Sequence, residues 1–327
     1  MNIYFFSIFL LVNLIFIISF DKLKILIRIL DYPDKRKLHK KPVPLLGGPL
    51  LFINLSIYIL LVNLQLIDSN FTIDVNLFYF FCSLIFIVGI IDDIYSLKPN
   101  NKLFLFIIIL ILYCSFEQSI LIKNISLSFK SNDVYLGNFT FIFTIFCFIC
   151  FINAFNMFDG INLQSSSYSI FLLANLFYLD SNIFFLILII SLTFFSFLNY
   201  REKSFLGNSG SSLIPFILSV MFVNYHNNYN YNADLIFVLM SIPGLELIRL
   251  TIYRIFNGNN PFLPDRNHIH HLMVKKLSYK IAIVLLNFLI YSQLIIYVAL
   301  DKTIISILCG TLIYAITIFF LTINKIK

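Results

Sequence analysis

Long runs of apolar residues, repeated along the whole length, leave this chain few folds to adopt. From Phe139 to Phe158 almost every residue is apolar, and a helix needs about 20 such residues to cross ~30 Å of hydrocarbon. Inside a bilayer every backbone polar group has to be satisfied within a helix or a closed barrel. The runs are continuous rather than alternating, so a barrel is excluded. The expected fold is all-α, a polytopic bundle of membrane helices. Composition agrees: of 327 residues, 60% are hydrophobic and 12% charged, against about 25% charged in an average soluble domain. The chain reads as one integral membrane domain, 1–327, with no soluble module.

The apolar runs give about eleven spans, near 3–20, 45–67, 77–91, 103–118, 139–157, 166–179, 182–198, 211–225, 234–250, 280–299 and 303–322. The first has neither a basic lead nor a small-residue cleavage site and reads as a retained helix, not a removable signal. The stretch 119–138 alternates in polarity and predicts a short surface hairpin. Taking the loops alternately, 20 of the 23 basic residues fall on one side, leaving Lys123, Lys130 and Lys302 on the other. The positive-inside rule makes the basic side cytoplasmic, with the N-terminus outside and the C-terminus inside. The net charge of +7 then reports topology and lipid headgroups, and no basic soluble domain exists to bind nucleic acid. The five cysteines lie inside apolar runs, and Cys147-x-x-Cys150 reads as packing rather than a redox pair.

Polar groups at the ends of membrane helices are costly and mark function. Four clusters sit at such ends, all on the cytoplasmic side. Asp92 and Asp93 repel each other and need either solvent or a cation between them; Mg²⁺ takes oxygen ligands of this kind. Asn153 and Asn156, spaced i and i+3, share a face and bond either a ligand or a neighbouring helix; Asp159-Gly160 follows them as a candidate ligand or base. Gly207-Asn208-Ser209-Gly210-Ser211 enters a helix whose N-terminus favours an anion. His268, His270 and His271 follow Arg266, with Lys275 and Lys276 nearby. No cysteine or carboxylate is spaced to complete a zinc site, so a pyrophosphate grip is the better reading. His226 falls on the outer side and reads as structural. The basic loop from Asp31 to Gly48 either attracts anionic lipid or, stiffened by Pro42 and Pro44, shapes a phosphate site.

In order and spacing these clusters resemble the polyprenyl-phosphate N-acetylhexosamine-1-phosphate transferases (glycosyltransferase family 4). Arg36-Lys37-x-His39-x-x-Pro42-Val43-Pro44-x-x-Gly47-Gly48 and Pro261-Phe262-x-Pro264-Asp265-Arg266-x-His268-x-His270-His271 resemble its undecaprenyl-phosphate GlcNAc-1-phosphate transferase branch. The resemblance implies Mg²⁺-dependent phosphoryl transfer at the cytoplasmic face of the inner (plasma) membrane, with Mn²⁺ as a substitute ion. A polyprenyl phosphate attacks a UDP-sugar, UMP leaves, and a cell-surface polysaccharide such as lipopolysaccharide or a cell-wall polymer is begun. It implies catalytic roles for Asp92, Asp93 and Asp159, metal ligation by Asp159, Asn208 and Asp92, and substrate binding by Asn153, Asn156, Lys102, Arg266, His268, His270 and His271. A homodimer is compatible with this reading. The chain departs from the family pattern at Asn208, where an Asp ligand is usual, at Glu246 in Pro243-Gly244-Leu245-Glu246, and at Leu163-Gln164, where Gly-Leu is common. The rival expectations are a non-catalytic scaffold with the same fold and a transporter; a transporter wants charge within its spans.

Overall fold

The computed structural model describes residues 3–33, 39–69, 71–260 and 265–323. Thirteen α-helices run in order among them: α1 (Ile3–Ile18), α2 (Phe20–Ile27), α3 (Gly47–Asn63), α4 (Val75–Tyr95), α5 (Pro99–Phe116), α6 (Thr140–Phe158), α7 (Gln164–Asp180), α8 (Ile183–Tyr200), α9 (Gly207–Tyr229), α10 (Ala233–Phe256), α11 (Ile269–Lys276), α12 (Tyr279–Leu300) and α13 (Thr303–Thr322). Every predicted span falls on one of these helices. α2 and α11 are additional, eight residues each. By length and composition seven helices (α4, α5, α6, α8, α10, α12 and α13) qualify to cross a membrane, and α1 joined to α2 across a 72° bend gives an eighth. The shortfall from eleven has a physical cause. α3 is apolar but only 17 residues long; α7 begins Gln-Ser-Ser-Ser and α9 begins Gly-Asn-Ser-Gly-Ser-Ser, so their polar first turns lower their hydropathy, and neighbouring helices cover them. The chain is an all-α polytopic membrane bundle.

α9 is the axis. Every residue from Ser209 to His226 is buried, and α3, α4, α6 and α7 pack around it. Small residues let the backbones close up, as membrane helices require where no hydrophobic drive acts between them. A Cβ on Gly89 of α4 would lie 2.4 Å from the Ser209 Cα, and one on Gly48 of α3 would lie 2.6 Å from the Gly210 nitrogen. Side chains larger than glycine at either place would force α9 away from its partners. Helix starts are fixed locally: the Asp74 carboxylate accepts from Asn76 N and Leu77 N at α4, and Asn182 accepts from Phe184 N at α8.

Two short β-pairs frame the bundle. β1 (Leu30–Asp31) pairs antiparallel with β2 (Val43–Pro44), and β3 (Asn124–Ile125) with β4 (Val134–Tyr135); the second is the hairpin expected in 119–138. From β2 the backbone continues into the turn before α9: Phe205 N donates to Pro44 O, Gly47 N to Phe205 O and Gly48 N to Leu206 O, at 3.0, 3.1 and 2.9 Å. At the opposite end the His226 ring nitrogens lie 2.7 and 2.9 Å from the carbonyl oxygens of Tyr231 and Asn124. His226 is structural, as its position implied: it pins the hairpin to the end of α9.

Candidate active site

The last turn of α4 carries Asp92 and Asp93, about 100° apart on the helix, and each meets a different partner. The Asp93 carboxylate accepts from Asn208 N at 2.6 Å and Ser209 N at 3.1 Å, capping the first turn of α9 across the helix boundary. Gly207, with φ of +76°, makes the turn; a Cβ there would lie 2.7 Å from Asp93 Oδ2. The anion expected at this helix N-terminus is therefore the chain's own carboxylate. Asp92 turns to Lys102 in the first turn of α5, 2.9 Å from its ammonium, and accepts from Leu97 N at 2.8 Å. The same Lys102 Nζ donates to Asn208 Oδ1 at 2.9 Å. The like-charge repulsion foreseen for the aspartate pair is thus relieved by a helix N-terminus on one side and a lysine on the other.

The other clusters reach the same place. Asn156, near the end of α6, accepts from Ser211 Oγ of α9 at 3.3 Å, and Asn153 lies half-buried one turn earlier. Asp159 follows α6 and accepts from Ser165 Oγ at 2.6 Å. Burial pushes its carboxyl up to about 6 despite the Ser165 hydrogen bond, and the charges of Asp93 and Asp31 add to the rise. His270 is buried directly against Gly160: a Cβ there would sit 2.0 Å from its Nε2. Its ring centroid is 5.2 Å from that of His268 and 4.4 Å from that of His271. Contacts thus run from Asp93 to α9, from α9 to Asn156, and from Gly160 to the histidines.

The histidines are held by groups that drew no site assignment from sequence. Buried Glu246 accepts from Ile269 N at 2.7 Å, capping α11 as Asp93 caps α9. It also pairs with Arg249 at 2.8 Å and takes a hydrogen bond from Tyr314. Arg249 donates to Asn267 O at 2.6 Å, and Arg254 pairs with Asp265 at 2.8 Å. Burial lowers His268 to about 4, and burial also pulls His270 and His271 below the usual imidazole range. All three rings are neutral near pH 7 and act as hydrogen-bonding groups, while the exposed Arg266 keeps the charge.

Comparison with known sequences fits this assembly. Residues 75–226 match the family described as "Glycosyl transferase family 4", a stretch that runs from α4 through α9 and holds every site cluster but the histidines. Over those residues, somewhat under half of the chain, it is similar to glycosyl transferase family 4. It is 28% identical over 280 residues to an undecaprenyl-phosphate alpha-N-acetylglucosaminyl 1-phosphate transferase of Yersinia pestis, covering 81% of this chain and 74% of that one. A Thermotoga maritima protein of the same name is 27% identical over 265 residues, covering 79% and 78%. A probable undecaprenyl-phosphate N-acetylglucosaminyl 1-phosphate transferase of Bacillus subtilis is 24% identical over 276 residues, covering 81% and 75%.

The departures from the family pattern take on physical roles. Glu246 is a cap and ion-pair partner within α10, sealed on every side described. Leu163 takes φ of +66° before α7, and its N–H donates to Asn199 Oδ1 at 2.7 Å. Asn208 shares Lys102 with Asp92. Among the described residues no group of three or more His, Cys, Asp or Glu side chains is arranged to hold a metal ion. The donors present are nevertheless oxygens, the kind a hard divalent cation takes. Asp159 sits buried with its carboxyl raised, which is the state a nearby cation reverses. The set fits such an ion in kind; Asp92 and Asn208 could hold it together only if Lys102, which now bonds both, gave way. Ser165, Glu246, Arg249 and Arg254 are the residues sequence reasoning missed. Glu246 and Arg249 carried a usable signal, two opposite charges at i and i+3 inside an apolar run. Of the motif residues, 34–38 and 261–264 lie outside the described residues.

Proposed function

We propose that this chain transfers a sugar 1-phosphate, of the N-acetylhexosamine class, from a UDP-sugar to polyprenyl phosphate. An oxygen of the lipid phosphate attacks the sugar-proximal phosphorus, the bond between the two phosphoryl groups breaks, and UMP leaves with the bridging oxygen. The relatives named above support the sugar phosphate and the lipid. The observation that carries the reading is the convergence of Asp92, Asp93, Asp159, Asn208 and His270 on one side of the bundle, around the start of α9. Such chemistry consists mainly of positioning and charge neutralisation.

The residues divide that work. Asp93 holds the first turn of α9 and so positions Asn208. Lys102 supplies a positive charge where phosphate oxygens gather, and Arg266 a second one at the rim. His268, His270 and His271, neutral and clustered with His270 packed on Gly160, offer N–H groups that orient the diphosphate. Asp159, Asp92 and Asn208 would hold a divalent ion, Mg²⁺ or Mn²⁺, which would supply charge neutralisation at the phosphates. The distribution of basic residues supports a cytoplasmic site, with the N-terminus outside, in the inner (plasma) membrane. The product then begins a surface polysaccharide.

The test is UMP release by purified protein given undecaprenyl phosphate, UDP-N-acetylhexosamines and Mg²⁺. Release that requires all three supports the reading, and none with any sugar favours the scaffold. The scaffold reading has one observation behind it, the lysine already seated between Asp92 and Asn208. The transporter has none: the charge pair inside α10, Glu246 with Arg249, is closed by hydrogen bonds to Ile269 N, Tyr314 and Asn267 O.

A further inference from the structure

α2 follows α1 after a bend of 72° at Ser19. A helix turned this far from a membrane-crossing α1 lies close to the bilayer plane. Phe20 is buried and Leu23 and Ile27 half-buried, so this side faces the protein. On the other side Ile25 and Leu26 are 62% and 79% exposed, interleaved with exposed Lys22, Lys24 and Arg28. Large aliphatic side chains among cations suit the boundary between acyl chains and headgroups, where apolar groups dip into the hydrocarbon and ammonium groups stay in the polar layer.

The cations are not equivalent. Lys24 is taken by Asp21 at 2.5 Å. Lys22 and Arg28 have no carboxylate partner among the described residues. With Ile25 and Leu26 these two share one exposed face of α2 and its C-cap. Arg28 is fixed in place, left-handed at φ of 52° in the C-cap, with its Nε donating to Ile25 O at 3.1 Å. Two cations flanking two exposed aliphatic side chains match a ligand with an anionic head and hydrocarbon tails. A zwitterionic lipid brings an ammonium group toward the same cations and is the poorer match.

We propose that α2 is a headgroup site for an anionic phospholipid of the bilayer: Lys22 and Arg28 hold the phosphodiester, and Ile25 and Leu26 lie against the acyl chains. The site abuts the catalytic frame, since β1 begins two residues after Arg28 and its partner β2 leads to Gly47, Gly48 and the turn before α9. The proposal does not rest on the catalytic reading.

The full chain is reconstituted in nanodiscs of equal phosphatidylglycerol and phosphatidylcholine, and the lipids it retains on transfer to detergent are counted by native mass spectrometry. Wild type is expected to retain phosphatidylglycerol over phosphatidylcholine by about tenfold. The double variant Lys22→Gln/Arg28→Gln is expected to retain the two equally. Lys22→Arg/Arg28→Lys, which keeps the charges, should keep the preference, as should Lys123→Gln/Lys130→Gln at the other end of the molecule. A preference that survives in the Lys22→Gln/Arg28→Gln variant overturns the proposal. So does displacement of the retained phosphatidylglycerol by undecaprenyl phosphate at low mole fraction, which assigns the face to that lipid instead.

Discussion

Lys102 Nζ donates to Asn208 Oδ1 at 2.9 Å while lying 2.9 Å from Asp92 Oδ2. A lysine therefore stands between two of the three oxygen donors proposed for the divalent ion. Replacing Lys102 by Gln removes a cation that competes with the metal. Lys102→Gln is expected to bind Mn²⁺ more tightly by calorimetry and yet to turn over at least tenfold more slowly, because the same charge serves the phosphates. Asn208→Asp adds a carboxylate, and at about 4 Å a charge pair in a partly buried site is worth a few kcal/mol before desolvation. Its Mg²⁺ requirement should fall below that of wild type. If both variants bind Mn²⁺ as wild type does, Asn208 is no metal ligand.

Asp93 and Asp92 are adjacent but have different duties. Asp93 accepts two N–H groups of α9, so Asp93→Ala removes a cap and the charge that complements the helix N-terminus, at a cost of about 1–2 kcal/mol. Thermal unfolding in detergent should show a lowered Tm together with lost turnover. Asp93→Asn, which keeps an acceptor oxygen, should recover much of the Tm and little of the activity. An unchanged Tm in Asp93→Ala would mean that the cap bears no weight.

Leu163 sits at φ of +66°, a conformation that opposes an L side chain by about 1–2 kcal/mol. Glycine removes that strain but widens the unfolded ensemble, which returns up to about 1 kcal/mol. Leu163→Gly is therefore expected to leave stability level or raise it by less than about 1 kcal/mol, and the β-branched Leu163→Val to lower it. Denaturant midpoints for the two variants check both signs.

The eleven helices of the spans were legible because each apolar run is long and bounded by polar or charged residues. α2 and α11 were not, since eight residues with lysines or histidines among them make no apolar run. α11 starts where Glu246, 23 residues away, caps Ile269 N, a contact no local pattern announces. The site's residues were legible as four clusters at helix ends, and their meeting at α9 followed from the topology. The pairing within it was not. Asp92 and Asp93 looked like one unit, yet a helix turns adjacent side chains apart, and only the packing of α4 on α9 decides which one meets Lys102. The hydroxyl of Ser165 on Asp159 was hidden in a run of three serines.

The proposed orientation has a direct check. A cysteine placed at Asn228, exposed in the last turn of α9, should react with a membrane-impermeant maleimide added to intact cells, and one at Asn259 should react only after lysis. Labelling of Asn259→Cys in intact cells would put the site on the outer face.

Asp159 gives the sharpest separation of function from stability. Burial holds its carboxyl at about 6, above the ordinary aspartate range near 3.8. The native state therefore binds this proton more tightly than the unfolded chain does. Between those two pH values ionisation is more advanced in the unfolded chain, so the contribution of Asp159 to stability falls as pH rises and is fully unfavourable above about 6. Asp159→Asn abolishes that charge and keeps an acceptor for Ser165 Oγ. In buffer with chelator at pH 7.5 the variant should therefore unfold at a Tm equal to or above that of wild type. Near pH 4.5 the advantage should shrink, because the native Asp159 is then largely protonated. Turnover should move the other way, down by orders of magnitude at pH 7.5, since the neutral side chain no longer draws a divalent ion. Added Mg²⁺ should raise the Tm of wild type and leave that of the variant nearly still, as ligand linkage requires when binding is confined to the native state. A variant that loses stability at pH 7.5, or that Mg²⁺ stabilises as fully as wild type, removes Asp159 from the metal site and leaves it a structural acceptor for Ser165.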